Sequence, residues 1–66
     1  MVDNQKIRKL RENNNLTIVG LAEKLYTSHP FIVKIEQGYS QPSAALLKRM
    51  ADYFGVTMNE LMKDDN

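Results

Sequence analysis

Residues that end helices recur at short intervals along this sequence, and they limit the chain to short helical segments. The Asn13–Asn15 run favours turn conformations, Gly38 and Gly55 are suited to end helices, and Pro42-Ser43 is suited to begin one. Between these breaks, apolar residues return at intervals of three and four, which is the helical period. No stretch alternates apolar and polar residues over enough positions for a strand. The pattern therefore predicts an all-α fold of five short helices.

The boundaries of these helices follow from candidate caps and apolar stripes. Thr17, Ser28 and Thr57 are predicted N-caps, and the third helix is expected to begin at Pro30 after Ser28 or His29. The stripes run from the first helix to the last as Ile7 and Leu10; Leu21, Ala22 and Leu25; Ile32 and Ile35; Ala44, Leu47, Met50, Ala51 and Phe54; and Leu61. About three residues join the second and third helices, and such a connection favours a helix-turn-helix. We expect one domain over residues 1–66, with the helix-turn-helix at about 17–37.

Composition excludes several classes of function. The 42% hydrophobic and 26% charged residues are typical of a globular chain. With no cysteine and one histidine, His29, the chain lacks a disulfide framework, a thiolate nucleophile and a multi-histidine zinc site. No serine has a recognisable His/Asp partner by motif, so we predict no enzyme, no cofactor and no metal. No apolar run approaches the roughly 20 residues of a membrane span, and we expect a cytoplasmic protein without a membrane partner.

The charge of the chain is unevenly distributed. The net charge at pH 7 is +1, but the first eleven residues carry four basic side chains against the single acidic Asp3. A basic N-terminal segment suits a surface that meets polyanions, but charge alone favours the simpler interpretation of a solvated first helix.

A set of motifs spread over residues 7–62 resembles the Cro/Xre-type (lambda-repressor-like) helix-turn-helix DNA-binding domains. The matching residues are Ile7-Arg8-x-Leu10-Arg11, Leu16-Thr17, Leu21-Ala22-x-x-Leu25, Ile32-x-x-Ile35-Glu36-x-Gly38 and Pro42-Ser43. Each motif is weak alone, and their joint spacing is specific. The resemblance implies a compact five-helix fold and a sequence-specific DNA-binding transcriptional regulator, bacterial or phage-encoded. It further implies a repressor that acts by occupying a double-stranded DNA operator.

The resemblance also implies roles for individual residues. The third helix would be the recognition helix, with Lys34 suited to guanine and Pro30 and Val33 suited to thymine methyl groups. Arg11 and Glu36 would form a structural ion pair that ties the first helix to the end of the third; the alternative is that both are ordinary surface charges. The implied DNA-binding residues are Ser28, His29, Pro30, Val33, Lys34, Gln37, Tyr39, Gln41 and Ser43.

Four departures from the family pattern support an alternative function. Ile18 stands where the family usually has glutamine, and Tyr26 stands where it usually has glycine. Residues 29–33 are unusually apolar, and the segment 39–41 has no basic residue. The alternative is an antirepressor or co-regulator whose third helix and Phe31 bind a partner repressor protein.

Four apolar residues of the last two predicted helices remain outside the predicted core. They are Leu46, which stands where the family tends to be polar, and Tyr53, Met58 and Met62, which need not all fit inside so small a domain. A cluster of exposed apolar residues is typical of an interface. We therefore predict a homodimer whose interface includes Tyr53, Met58 and Met62.

Overall fold

The computed structural model describes residues 1–63, which form four α-helices and one 3-10 turn. The helices are α1 (Asn4–Asn13), α2 (Ile18–Lys24), α3 (His29–Gln37) and α4 (Ala44–Phe54), and the 3-10 turn is Asn59–Leu61. Helix α3 packs against both α1 and α2. Residues 64–66, which the expected domain includes, lie outside the described part of the chain. No helix among residues 1–63 is long and apolar enough to cross a membrane.

The prediction of a fifth α-helix is wrong. Thr57 and Glu60 do form a reciprocal cap, because each backbone N–H donates to the other side chain, at 2.9 and 3.1 Å. Only the 3-10 turn follows this cap. Met62 then adopts an extended conformation and pairs antiparallel with Val2. The pairing of Met62 with Val2 therefore takes a residue that a longer helix would need.

The predicted caps of the other helices are confirmed. The hydroxyls of Thr17, Ser28 and Ser43 accept hydrogen bonds from backbone N–H groups at 3.0, 3.3 and 3.1 Å. Gly38 and Gly55 end α3 and α4 in the left-handed conformation, with φ of 83° and 70°. Helix α3 begins one residue earlier than predicted, because Ser28 is the cap and His29 is already helical. Pro30 sits in the first turn, where its missing N–H has no intrahelical partner.

The core is formed by one face of each helix together with Val2, before α1, and Leu61, in the 3-10 turn. Its buried residues are Val2, Ile7, Leu21, Ala22, Leu25, Ile32, Ile35, Leu46, Met50, Ala51 and Leu61. The predicted stripe of α4 is wrong in two places: Ala44 is exposed, and Leu46 is buried while Leu47 is only half-buried. Leu46 lies one helical turn before Met50, so the face of α4 that carries these two residues is turned toward the core. Ala44 lies outside this face and is exposed.

The turn between α2 and α3 contains a tyrosine in an unfavourable backbone conformation. Tyr26 has a φ of 57°, and its side chain is 87% exposed. The turn is held by the N–H of Thr27, which donates to the carbonyl of Ala22 at 3.0 Å. Tyr26 thus takes the left-handed conformation that the family gives to glycine, and nothing in its exposed position offsets the cost through packing.

Replacing Tyr26 with glycine should stabilise the domain. A left-handed conformation costs an L-residue roughly 1–2 kcal/mol in the folded state. Glycine avoids this cost, but its greater conformational freedom in the unfolded chain offsets part of the gain in stability. We expect Tyr26→Gly to raise the free energy of unfolding by about 0.5–1 kcal/mol in urea denaturation. Tyr26→Ala is the control, because it removes the ring and keeps the Cβ atom. An equal gain from Tyr26→Ala would show that the ring, and not the backbone, is responsible.

Candidate nucleic-acid interface

Helix α3 has one buried face and one face available to a partner. Ile32 and Ile35 are completely buried, and Phe31 is half-buried against the core. The opposite face carries exposed and half-exposed residues at helical spacing, namely His29, Pro30, Val33, Lys34 and Gln37. Val33 is half-buried but is not part of the core, and the other four are exposed. Their exposure leaves this face with one cation, two polar side chains and two apolar ones for an external surface.

The predicted pair Arg11 and Glu36 lies in contact and joins three elements. Arg11 Nε and one terminal nitrogen donate to the two carboxylate oxygens of Glu36 at 2.7 and 3.1 Å. The other terminal nitrogen donates to the carbonyl of Leu16, directly before the cap of α2, at 2.7 Å. The two side chains are only 11% and 6% exposed. Arg11 therefore ties the start of α2 and the end of α3 to α1.

The hydrogen bond to Glu36 raises the pKa of Arg11 above its already high ordinary value. Partial burial opposes this shift, and the nearby charges of Glu36 and Glu12 add to it. Arg11 stays charged over the whole range in which proteins are studied. The two hydrogen bonds form the bidentate geometry that guanidinium and carboxylate groups favour. The pair therefore also restrains the angle between α1 and α3.

The serines among the predicted DNA-binding residues already have structural roles. The hydroxyls of Ser28 and Ser43 accept the capping hydrogen bonds of α3 and α4, and each retains a proton to donate. Tyr39 directly follows Gly38 and is 80% exposed. Ser28 and Tyr39 therefore lie at the two ends of α3.

Gln41 is held by the other end of the chain. Its Oε1 accepts a hydrogen bond from the backbone N–H of Val2 at 2.8 Å. Asn4 also reaches this region, because its side-chain amide donates to the carbonyl of Glu36 at 2.9 Å. Neither contact was expected from the sequence. The sequence did contain a sign that the N-terminal segment is anchored, because Val2 and Ile7 occupy the two positions of a hydrophobic staple around Asp3, the N-cap of α1.

The basic residues of α1 are mostly solvated. Arg8 and Glu12 approach within 3.6 Å, and both side chains are more than half exposed. A shallow cleft joins α1, α2 and α3, and its lining includes Arg8, Ile18 and Val33. Ile18 therefore contributes an apolar side chain to this cleft, and Arg8 contributes a cation.

The predicted dimer residues lie on the surface. Tyr53, Met58 and Met62 are 39%, 37% and 39% exposed. The ring of Tyr53 meets that of Phe54 edge-on, with centroids 5.4 Å apart. Across residues 1–63, acidic, histidine and cysteine side chains do not gather in groups of three or more that could hold a metal ion.

Comparison with known proteins identifies the class to which this chain belongs. A helix-turn-helix family profile matches residues 7–61. The HTH-type transcriptional activator BcrR of Enterococcus faecalis is 40% identical over 62 residues, which are 94% of this chain and 30% of the activator. The uncharacterized HTH-type transcriptional regulator MJ0272 of Methanocaldococcus jannaschii is 38% identical over 56 residues, 85% of each chain. The chain belongs to the helix-turn-helix family of the Cro/C1 type.

The fold agrees with this assignment. The P22 c2 repressor, solved with a synthetic operator, superposes with a TM-score of 0.88 over 98% of both chains, at 18% identity. The chain spans only 30% of the length of BcrR. The activity of BcrR is therefore the property of a longer protein.

Proposed function

We propose that this chain is a sequence-specific DNA-binding transcription regulator that represses by occupying an operator. The observation that carries the proposal is the exposed face of α3, which presents His29, Lys34 and Gln37 while its inner face is buried. Family membership and the likeness to an operator-binding repressor support it. The role is one of binding without catalysis, and it is exercised in the cytoplasm.

The chemistry of α3 fits direct reading of bases in the major groove. Lys34 donates to the O6 and N7 acceptors of guanine, and the apolar surfaces of Pro30 and Val33 suit thymine methyl groups. His29 and Gln37 both donate and accept hydrogen bonds. Tyr39 and Ser43 supply hydroxyls, and Arg8 a cation, for phosphate oxygens that fix the position of the helix.

Selection from a random duplex library tests this function. We expect the wild-type chain to enrich one sequence and to bind it at least about a thousandfold more tightly than a scrambled duplex. Affinity should fall steeply as salt rises, because phosphate contacts release counterions. A chain that enriches no sequence would contradict the proposal. It would favour the antirepressor or co-regulator, whose third helix binds a partner repressor.

Dimerisation is the second part of the proposal. One recognition helix reads only a few base pairs, so specificity normally requires two half-sites about 34 Å apart. The exposure of Tyr53, Met58 and Met62 supports a two-fold interface at the end of α4 and the 3-10 turn.

Sedimentation with and without the selected duplex tests the dimer. We expect two chains per duplex, and we expect Tyr53→Glu to lower the apparent dimer affinity by about tenfold or more, because it places a charge in an apolar contact. The control is Asn13→Glu at the exposed end of α1. One chain per duplex, or equal effects of the two variants, would contradict this interface.

A further inference from the structure

The first residues of the chain contact the end of the recognition helix and the loop that follows it. The N–H of Val2 donates to Gln41 in that loop at 2.8 Å, and the amide of Asn4 donates to the carbonyl of Glu36 at 2.9 Å. Both acceptors lie on the C-terminal side of the face that carries Lys34. The carbonyl of Glu36 lies in the last turn of α3, where it has no intrahelical partner, so Asn4 satisfies it from α1 while the bond from Val2 restrains the loop.

The N-terminal segment Met1–Asn4 is itself anchored to the core. The side chain of Val2 is 3% exposed. The N–H of Asp3 donates to the carbonyl of Leu61, and the N–H of Lys63 donates to the carbonyl of Met1, both at 2.8 Å. The segment is therefore a fixed support, and a hydrogen bond from it restrains the loop.

Glu36 is held at two points by one face of α1. Arg11 binds its carboxylate, and Asn4, about two helical turns earlier, binds its carbonyl. Asn4 also covers Gly38, where an added Cβ would lie 3.6 Å from the Asn4 amide nitrogen. Arg11 fixes the side chain of Glu36, and Asn4 fixes the backbone of the last turn of α3.

We propose that Asn4 and the hydrogen bond between Val2 and Gln41 position the DNA-reading surface. They hold the last turn of α3 and the following loop so that Lys34, Gln37 and Tyr39 reach the duplex together. Gln41 then acts through its bond to Val2 and not through contact with DNA. This inference rests on the proposed function, and it assigns positioning residues to the proposed site.

Asn4→Ala tests the first contact. The probe is the duplex that the wild-type chain selects, with a scrambled duplex of equal composition, at a temperature where every variant is fully folded. We expect the ratio of the two affinities to fall about tenfold, the effect of weakening one base contact. Gln5→Ala, at the exposed neighbouring position, should leave the ratio unchanged.

The second contact is tested from both of its partners. Gln41→Met keeps the length of the side chain and removes the acceptor. An amide-to-ester replacement at Val2, made by chemical synthesis, removes the N–H donor and leaves Gln41 intact, although it also weakens the Met1 carbonyl that accepts from Lys63. We expect each change to lower the affinity ratio by a similar factor, and the two together to lower it no further, because they break the same bond. If the ester retains the ratio while Gln41→Met loses it, Gln41 touches DNA directly and the inference is overturned.

A stability control separates positioning from folding. Asn14→Ala removes the hydrogen bond that the Asn14 side-chain amide donates to the carbonyl of Leu10 at the end of α1, at 2.7 Å, and should lower stability without changing the affinity ratio. If it changes the ratio as much as Asn4→Ala does, the effect is general and the inference fails. A wild-type chain that selects no duplex overturns the proposed function. Selection by the wild type, with ratios unchanged in Asn4→Ala and Gln41→Met, overturns this inference alone.

Discussion

Arg11→Ala should lower the free energy of unfolding by about 3–5 kcal/mol, because it leaves the buried carboxylate of Glu36 without its partner. The carboxylate is 6% exposed and accepts both of its side-chain hydrogen bonds from Arg11. The carbonyl of Leu16 would lose a donor as well. A chain of this size has a total stability of roughly 3–10 kcal/mol, so urea or thermal denaturation should find the variant close to unfolded at 25 °C.

The matched control lies on the same helix. Arg8→Ala removes an ion pair of 3.6 Å whose partners are 64% and 54% exposed, and such pairs contribute about 0–1 kcal/mol. A second test replaces both buried partners, as Arg11→Met with Glu36→Met, which removes the stranded charge and should recover part of the loss. Equal small costs for Arg11→Ala and Arg8→Ala would show that the buried pair is not structural.

Lys34→Ala should reduce affinity for the selected duplex by about 5- to 150-fold and affinity for a scrambled duplex much less. A good base contact is worth about 1–3 kcal/mol of discrimination, whereas a phosphate contact weakens all sequences alike. Lys34 is exposed and is the basic side chain on the outward face of α3. Fluorescence anisotropy with both duplexes measures the two affinities.

Two other lysines provide the comparison for Lys34. Lys48→Ala on α4 should change neither affinity, because that side chain is exposed beside Asp52 and lies outside the proposed interface. Lys9→Ala on α1 should weaken both duplexes equally if it lies near the backbone. If Lys34→Ala also weakens both by the same factor, Lys34 is a phosphate anchor. Specificity then comes from His29, Pro30 and Val33 or from the shape of the DNA.

The local features of the fold were predictable because they depend on neighbouring residues. Thr17, Ser28 and Ser43 cap helices through N–H groups three residues later, and Gly38 and Gly55 supply the left-handed endings. The family resemblance placed Tyr26 at a position that usually holds glycine, and its φ of 57° is the left-handed conformation that glycine favours. Contacts between residues so close in the chain can be predicted from short stretches of sequence.

The contacts that sequence reasoning missed join distant parts of the chain. The bridge between Val2 and Met62 replaces the expected fifth helix, and the bond from Val2 to Gln41 spans 39 residues. The burial of Leu46 was not predicted for a related reason. Which face of α4 is buried depends on how α4 packs against the other helices, and not on neighbouring residues alone. Arg11 with Glu36 is the exception among distant contacts, and it was expected from the family resemblance.

The most direct test of the central claim is a nuclear magnetic resonance titration of the chain with its selected duplex of about 20 base pairs, long enough for two half-sites. If the exposed face of α3 reads DNA, the largest changes in backbone amide shifts will fall between His29 and Tyr39. Smaller changes at Tyr53 and Met58 would accompany dimerisation. Changes that spare α3 and concentrate elsewhere would contradict the assignment of α3 as the recognition helix.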